Sequence, residues 1–209
     1  ILVLDPATCR EKDRIPLAAP GPLAAANGRL YAATATRVVC IDPQTKKTQP
    51  VLDLGYVPRG LCVDAKRLFV TGSPDSTVKI HPLSGGAPAS LGTPGGAYQG
   101  KWDENRLVNP VSLTLAPDGA LWVAEKRGNP KRLTKWDLAS GNCVYSKVGC
   151  PAYGSPAAAF DPENPKRWIG QRCLWEVDPA TGTSKIISVL QKAGGHLNGK
   201  IDECLNYKI

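Results

Sequence analysis

Short apolar runs separated by turn residues recur along the chain, and they set the predicted secondary structure. Asp accepts hydrogen bonds from the amides that follow it, Pro presets φ, and Gly permits a positive φ. An apolar strand ending in Asp, then a turn and a polar strand, occurs at Ile1–Thr8, Val38–Thr45, Leu133–Gly141 and Leu174–Gly182. A degenerate copy at Val78–Gly85 has His81 in place of Asp. Each copy predicts two adjacent antiparallel strands joined by a hairpin.

A second pattern precedes each of the later four copies. It consists of a strand rich in small residues, a turn, and a strand with aliphatic or aromatic residues, at Pro22–Ala33, Gly60–Thr71, Val111–Ala124 and Pro156–Ile169. The dipeptides Asn27-Gly28 and Asp118-Gly119 are strong hairpin signals. The two patterns together predict a repeating unit of four antiparallel strands.

The spacing of the units predicts the fold. The turn residues at positions 5, 42, 81, 137 and 178 are separated by 37, 39, 56 and 41 residues. Four strands in about 40 residues is the period of a β-propeller blade. We therefore predict an all-β protein, a β-propeller of four-stranded antiparallel blades, with about four and a half to five blades in this chain. A β-sandwich is the alternative architecture, and five copies in register disfavour it.

The predicted domain is a single propeller over residues 1–209. It divides into a half blade at 1–20, blades at about 21–55, 56–92, 107–150 and 153–191, and a tail at 192–209. The tail either supplies the missing inner strands and closes a ring, or the blades form an arc of a larger propeller. The chain opens at Ile1 inside a predicted strand and has no Met, so we expect a processed chain or a piece of a longer one.

Composition narrows the function classes. The net charge of +8 suits an acidic partner such as nucleic acid or an anionic polysaccharide, or else reflects an ordinary solvated basic surface. No apolar run reaches the roughly 20 residues that span a bilayer. The seven Cys form no C-x-x-C pair and there are only two His, so neither a zinc nor a haem motif is present. No cofactor is predicted, and no G-x-S-x-G nucleophile motif occurs.

The segment Asn109–Glu125 resembles the repeats of NHL-repeat propellers. Pro130–Asp137 and Ala159–Trp168 look like segments of large NHL-like proteins of environmental bacteria, most of which are expected to be exported. The resemblance implies a secreted, periplasmic or cell-surface protein that binds proteins, RNA or glycans through one face. Related six-bladed lactonases hold an axial divalent cation with Glu, Asn and Asp. Only Glu125 and Asn109 are candidates for such ligands here, so no metal or catalytic residue is assigned.

Two loops exceed the minimum length and are predicted to open on the same face of the same blade. The first, Gly92–Asn109, contains the candidate binding residues Tyr98, Trp102 and Arg106. The second, Glu125–Arg132, contains the basic candidates Lys126, Arg127, Lys131 and Arg132. Arg59 and Arg37 lie next to strand ends on this face and extend the candidate set. Loops on a rigid scaffold are where binding groups concentrate.

These residue types suit recognition rather than catalysis. An indole stacks on a sugar or a base, and Arg and Lys bind phosphate, sulfate or carboxylate groups. The alternative is that Trp102 covers the apolar edge of a blade and that the basic residues are only solvated. We predict a non-catalytic binding or scaffold propeller with a protein or glycan partner. The remaining hypotheses are a lactonase-type hydrolase or lyase with an axial metal, and nucleic-acid or polyanion binding.

Overall fold

A computed structural model describes residues 1–96, 103–125, 132–148, 158–161, 164–170, 173–178 and 183–189. These residues form 18 β-strands and no helix. They therefore include no helix that is long and apolar enough to cross a membrane. The predicted all-β class is confirmed.

The strands form five sheets in which neighbours follow each other along the chain. The two-stranded sheet pairs β1 (Leu2–Leu4) with β2 (Glu11–Arg14). The first two four-stranded sheets comprise β3 (Pro20–Ala26), β4 (Arg29–Thr34), β5 (Arg37–Ile41) and β6 (Thr48–Asp53), then β7 (Gly60–Val63), β8 (Arg67–Thr71), β9 (Val78–Pro82) and β10 (Ala89–Leu91).

Two further four-stranded sheets follow. They comprise β11 (Pro110–Leu115), β12 (Leu121–Glu125), β13 (Arg132–Trp136) and β14 (Cys143–Val148), then β15 (Ala158–Phe160), β16 (Arg167–Gly170), β17 (Cys173–Asp178) and β18 (Thr183–Val189). Consecutive strands within both sheets are antiparallel. Four such sheets and one two-stranded sheet fit a partial β-propeller, in agreement with the predicted blade architecture.

The chain divides into two compact units. The first comprises residues 1–74 and 78–90, and the second residues 75–77 and 91–209. In the first unit, the innermost strands β3 and β7 contact each other. A core that includes Val38, Leu61 and Val70 joins their two sheets. Sheets that stack face to face with their first strands side by side have the arrangement of consecutive propeller blades.

A second core of the first unit joins the two-stranded sheet to its neighbour. Ile15, Ala32 and Ile41 are buried there, and Ile1 and Val3 pack against them. In the second unit, β11 contacts β15, and Trp122 lies 5.2 Å from Phe160 between ring centroids. Each of these sheets is thus held by apolar side chains from the next, because a single four-stranded sheet cannot bury its own faces.

The predicted hairpins form as the sequence indicates. The Asp42 carboxylate accepts hydrogen bonds from the amides of Gln44 and Thr45 at 2.9 and 3.0 Å. Asp5 and Asp137 make the same kind of turn. Each carboxylate accepts hydrogen bonds from the backbone amides two and three positions further along the chain. The turn after Asp178 lies outside the described residues. In the hairpin between β3 and β4, Asn27 and Gly28 have φ values of 52° and 69°, as a two-residue primed turn requires.

Candidate binding face on one blade

The ends of β12 and β13 meet at the position where two loops leave the blade. β12 ends at Glu125 and β13 begins at Arg132, and the register of the two strands places these residues opposite each other. The insertion Gly92–Asn109 enters the same blade at β11 and is described at residues 92–96 and 103–109. The structure therefore shows the base of each loop.

A buried ion pair joins the two strand ends. The Arg132 guanidinium donates to Glu125 Oε1 through Nε at 3.1 Å, and Nη2 lies 3.0 Å from the same oxygen. Glu125 Oε2 accepts from the backbone amide of Val108 at 3.0 Å. The Arg132 side chain is 0% exposed and the Glu125 side chain 1%. Both carboxylate oxygens are therefore occupied by donors.

The same guanidinium fastens the insertion to the blade. Arg132 Nη1 donates to the carbonyl oxygen of Glu104 at 3.1 Å, and Nη2 donates to that of Arg106. Asn105 adds a second attachment, because its Oδ1 accepts from the amide of Cys143 on β14 at 2.8 Å. Residues 104–108 are thus tied to three strands of the blade, since Val108 bonds to the end of β12.

The two described ends of the insertion lie beside each other. Thr93 forms a parallel bridge with Arg106, and the Thr93 amide donates to the Asn105 carbonyl at 2.7 Å. A Cβ on Gly95 would lie 3.7 Å from the Arg106 Cζ, so the half-buried guanidinium lies against this glycine. Gly95 has a φ of 135°, which brings the backbone close to that side chain. Residues 92–96 and 103–109 therefore form one anchored base.

Burial dominates the electrostatics of this anchor. Desolvation raises the pKa of Glu125 to about 7, while Arg132 and the Val108 amide act in the opposite direction. Burial also raises the pKa of the Cys143 thiol, which donates to the carbonyl of Tyr145. These groups hold the loop base together.

The structure corrects one of the predicted binding residues. Arg132 was expected to grip an anionic ligand, but its guanidinium is buried and bonded to Glu125 and two backbone carbonyls. Arg106 lies beside it at the base of the insertion. Five other candidates lie outside the described residues, namely Tyr98, Trp102, Lys126, Arg127 and Lys131.

The two remaining candidates belong to the first unit. Arg59 precedes β7, and its amide donates to the Thr71 carbonyl at 3.0 Å. The Arg59 side chain lies beside Gly72, because a Cβ on that glycine would be 3.3 Å from Arg59 Cγ. Arg37 begins β5 and pairs with Asp53 at 3.2 Å, with both side chains mostly exposed. Both residues therefore belong to a different unit from the ends of β12 and β13.

The lactonase-type metal site gains no support from this geometry. A cation bound to Glu125 would lie close to the positively charged Arg132 guanidinium, which is 3.0 Å from Glu125 Oε1. Asn109, the other candidate, has a φ of 54° at the entry to β11. Within the described ranges, no three His, Cys, Asp or Glu side chains are grouped as metal ligands.

Sequence reasoning missed Glu104, Asn105 and Val108 as anchoring residues. Their contacts cross from a loop to strand ends that are 17 to 38 positions further along the chain. No periodic pattern marks such contacts. The only local signal is an acidic residue ending one strand and a basic residue starting the next.

Comparison with known proteins supports the fold class. No protein-family model matches the chain, and no curated protein matches it. One similar solved structure is a chain of a nidogen/laminin complex, with a TM-score of 0.68 and 16% identity over 91% of this chain and 74% of that one. Another is hydrazine synthase of Kuenenia stuttgartiensis, with a TM-score of 0.57 and 16% identity.

The hydrazine synthase match covers 83% of this chain and 49% of the other, so this chain spans about half of that protein's length. Both similar structures contain β-propeller domains. At 16% identity the likeness shows the fold alone. The chain is therefore a set of β-propeller blades, and its function has to be argued from its own residues.

Proposed function

We propose that this propeller is a non-catalytic binding module that recognises a protein or glycan partner. The partner contacts the blade β11–β14 where the insertion Gly92–Asn109 and the loop Glu125–Arg132 leave it. One observation carries the proposal, namely the buried pair of Glu125 and Arg132 that fastens the insertion to the blade.

Such an anchor favours binding because it fixes residues 104–108, at the base of the insertion, before a partner arrives. A buried ion pair costs several kcal/mol of desolvation per ion, and complete hydrogen bonding is needed to offset this. Here the donors of Arg132 reach a carboxylate and two backbone carbonyls. A loop held in this way loses less conformational entropy on binding than a free loop.

The residues of the two loops indicate the chemistry of the partner. Tyr98 and Trp102 belong to one loop, and Lys126, Arg127 and Lys131 to the other. Aromatic rings suit sugar faces or apolar protein side chains, and the cations suit carboxylate or sulfate groups. We also propose that the blades are of the NHL type and act outside the cell, on the resemblance of Asn109–Glu125 to those repeats.

The test is a binding screen followed by matched variants. Glycan arrays and protein pull-downs with the full chain identify a partner, and its affinity is then measured for Trp102→Ala and for Lys126→Ala/Arg127→Ala. The control is Lys166→Ala/Arg167→Ala, which removes the same charge from two exposed residues at the start of β16. We expect about a tenfold loss or more for the two loop variants, as for central interface residues, and an unchanged control. Equal affinity in all variants would contradict the proposed face.

Salt dependence tests the class of partner. A protein or glycan held by stacking and a few charges should show a shallow change in affinity between low and physiological salt. Binding that weakens steeply and linearly in log–log form indicates counterion release from a nucleic acid or another polyanion. That result would leave the proposed binding face unchanged, but the partner would then be a nucleic acid or another polyanion.

A further inference from the structure

His81, one of two histidines in the chain, lies at a position that is apolar and buried in two other blades. The register places it on β9 opposite Leu68 of β8. Ile41 and Trp136 hold the corresponding positions of β5 and β13, each opposite a Leu of the preceding strand. Both are 0% exposed. His81 therefore occupies the place of a core residue, and not that of the turn residue Asp42, as the sequence pattern predicted.

The face of the sheet that carries His81 packs against the sheet β3–β6. Residues directly opposite each other on antiparallel strands project from the same face. Leu68, opposite His81, is buried in a core that also contains Tyr31 and Val38 of the neighbouring sheet. Leu83, two positions after His81, packs against the same core. His81 is thus on the side of its sheet that joins the first two four-stranded blades.

The surroundings of the His81 ring suit only its neutral form. Its Nε2 atom is buried and makes no hydrogen bond with any residue that the structure describes. Both ring nitrogens carry a proton in the imidazolium form, so each of them then donates a hydrogen bond. Protonation of His81 would therefore leave a charged donor without an acceptor in a largely apolar environment, which is costly.

The charged groups on the same sheet do not offset this cost. Lys79 lies two positions before His81 on β9, so it projects from the same face and adds a second positive charge. Its Nζ donates to Ser90 Oγ on β10 at 2.9 Å. On β8, Arg67 lies over the Phe69 ring, on the face opposite to that of His81. The ionised neighbours of His81 on its own sheet are therefore cations.

The sheet packed against this face supplies only uncharged groups. The titratable side chains that belong to or pack against the shared core are Tyr31, Cys40 and Tyr56. Tyrosine and cysteine side chains are uncharged below about pH 7. Burial lowers the pKa of His81 below its ordinary value of 6.5, and Lys79 lowers it further. The calculated shift agrees in direction with the geometry.

We propose that His81 makes the packing of the blade β7–β10 against the blade β3–β6 sensitive to acid, so that protonation of its ring separates the two sheets. The ring is hydrated only when the sheets part, and hydration favours its charged form. The packed state is therefore fully stable above about pH 6.5 and loses stability as the pH falls through the lowered folded-state pKa. This device belongs to the first unit and is independent of the binding face of the second.

Thiol labelling of the full chain measures the separation of the sheets. Cys40 packs against the core between them, whereas Cys9 is exposed between β1 and β2. Dithiodipyridine reacts with thiols in acid as well as at neutral pH, and peptide mapping gives the labelling rate of each Cys. The ratio of the Cys40 rate to the Cys9 rate reports the opening, because both thiols share the pH dependence of the reagent.

This ratio should rise as the pH falls from about 7 to about 5. The expected rise is up to about tenfold for each unit by which the folded-state pKa of His81 lies below 6.5. His81→Gln keeps a polar side chain that cannot titrate, and its ratio should stay constant over this range. His81→Ile places there the residue found at position 41 and should also stay constant. The matched control His196→Gln changes the other histidine and should rise like the unmodified chain.

Titration of the His81 ring, followed by NMR, gives a second readout. The ring protons should titrate below pH 6.5, the ordinary value of the group. The proposal is overturned if the ring titrates at or above that value, if the labelling ratio does not rise in acid, or if the ratio rises as much in His81→Gln and His81→Ile as in the unmodified chain.

Discussion

The Glu125 carboxylate and the Arg132 guanidinium lie 3.0 Å apart at the facing ends of β12 and β13, with both side chains almost wholly buried. Their contacts to Val108, Glu104 and Arg106 make this pair the point at which the insertion joins the blade.

Removing one partner of the pair should destabilise the protein strongly. Arg132→Met leaves the Glu125 carboxylate buried without its counter-ion, which typically costs about 3–5 kcal/mol. The double variant Glu125→Leu/Arg132→Met removes both charges and should recover most of that loss. Urea unfolding measures each free energy. The control Arg37→Ala breaks an exposed pair and should cost about 1 kcal/mol or less; an Arg132→Met loss as small as that control would contradict the prediction.

Glu125 should make stability depend on pH near neutrality. Its folded-state pKa of about 7 lies above the ordinary 4.5, because burial penalises the charged form. The folded state therefore holds the proton more tightly, and stability falls as the pH rises from about 4.5 through about 7, by about 3 kcal/mol in total. Unfolding free energies at pH 4.5, 6 and 8 measure this slope. Glu125→Gln should reduce this dependence of the unfolding free energy on pH. If the dependence is unchanged in the variant, a group other than Glu125 causes it.

The turn aspartates should produce a separate loss of stability in acid. The amide of Thr45 bonded to Asp42, and the hydroxyl of Ser140 bonded to Asp137, hold these pKa values below 3.8. Asp5 is lowered by the amide of Thr8. Because the folded-state values are lowered, the stabilisation is present above about pH 4 and is lost as the pH falls below it.

Thermal unfolding between pH 2 and pH 6 tests this acid transition. The variant Asp5→Asn/Asp42→Asn/Asp137→Asn keeps an acceptor oxygen in each turn and cannot titrate. We expect a flatter decline in its midpoint below about pH 4 than in the unmodified chain. If the midpoints of the variant and of the unmodified chain fall in parallel, other carboxylates cause the loss of stability in acid.

Gly72 should tolerate a side chain far less well than Gly28. A Cβ on Gly72 would lie 2.5 Å from the Val57 carbonyl oxygen, at a φ of 107°. Gly28 also has a positive φ, 69°, but no atom lies within 4 Å of its Cβ position. We expect Gly28→Ala to cost about 1 kcal/mol and Gly72→Ala about 3 kcal/mol or more. Chemical denaturation measures the free energy of unfolding of both variants. Equal losses would mean that the segment between β6 and β7, which contains Val57, moves aside without strain.

Local sequence features predicted the repeating architecture well. The turns at Asp5, Asp42 and Asp137 depend on hydrogen bonds between residues two or three positions apart. Asn27-Gly28 fixes a hairpin through the φ angles of those two residues. Such turn preferences depend on a few neighbouring residues. Where the same turn sequence recurs along the chain, it therefore predicts the same pair of adjacent strands.

The sequence by itself determined the strands, their turns and the repeated unit, because these depend on short-range backbone preferences and on alternating burial. Only the tertiary structure decided the role of each charged residue at the loop base. Arg132 belongs to the same basic run as Lys126, Arg127 and Lys131, yet it is the first residue of β13 and its side chain is buried beside Glu125. Burial of a charge depends on partners from distant segments, here Glu104, Arg106 and Val108, which no local pattern specifies.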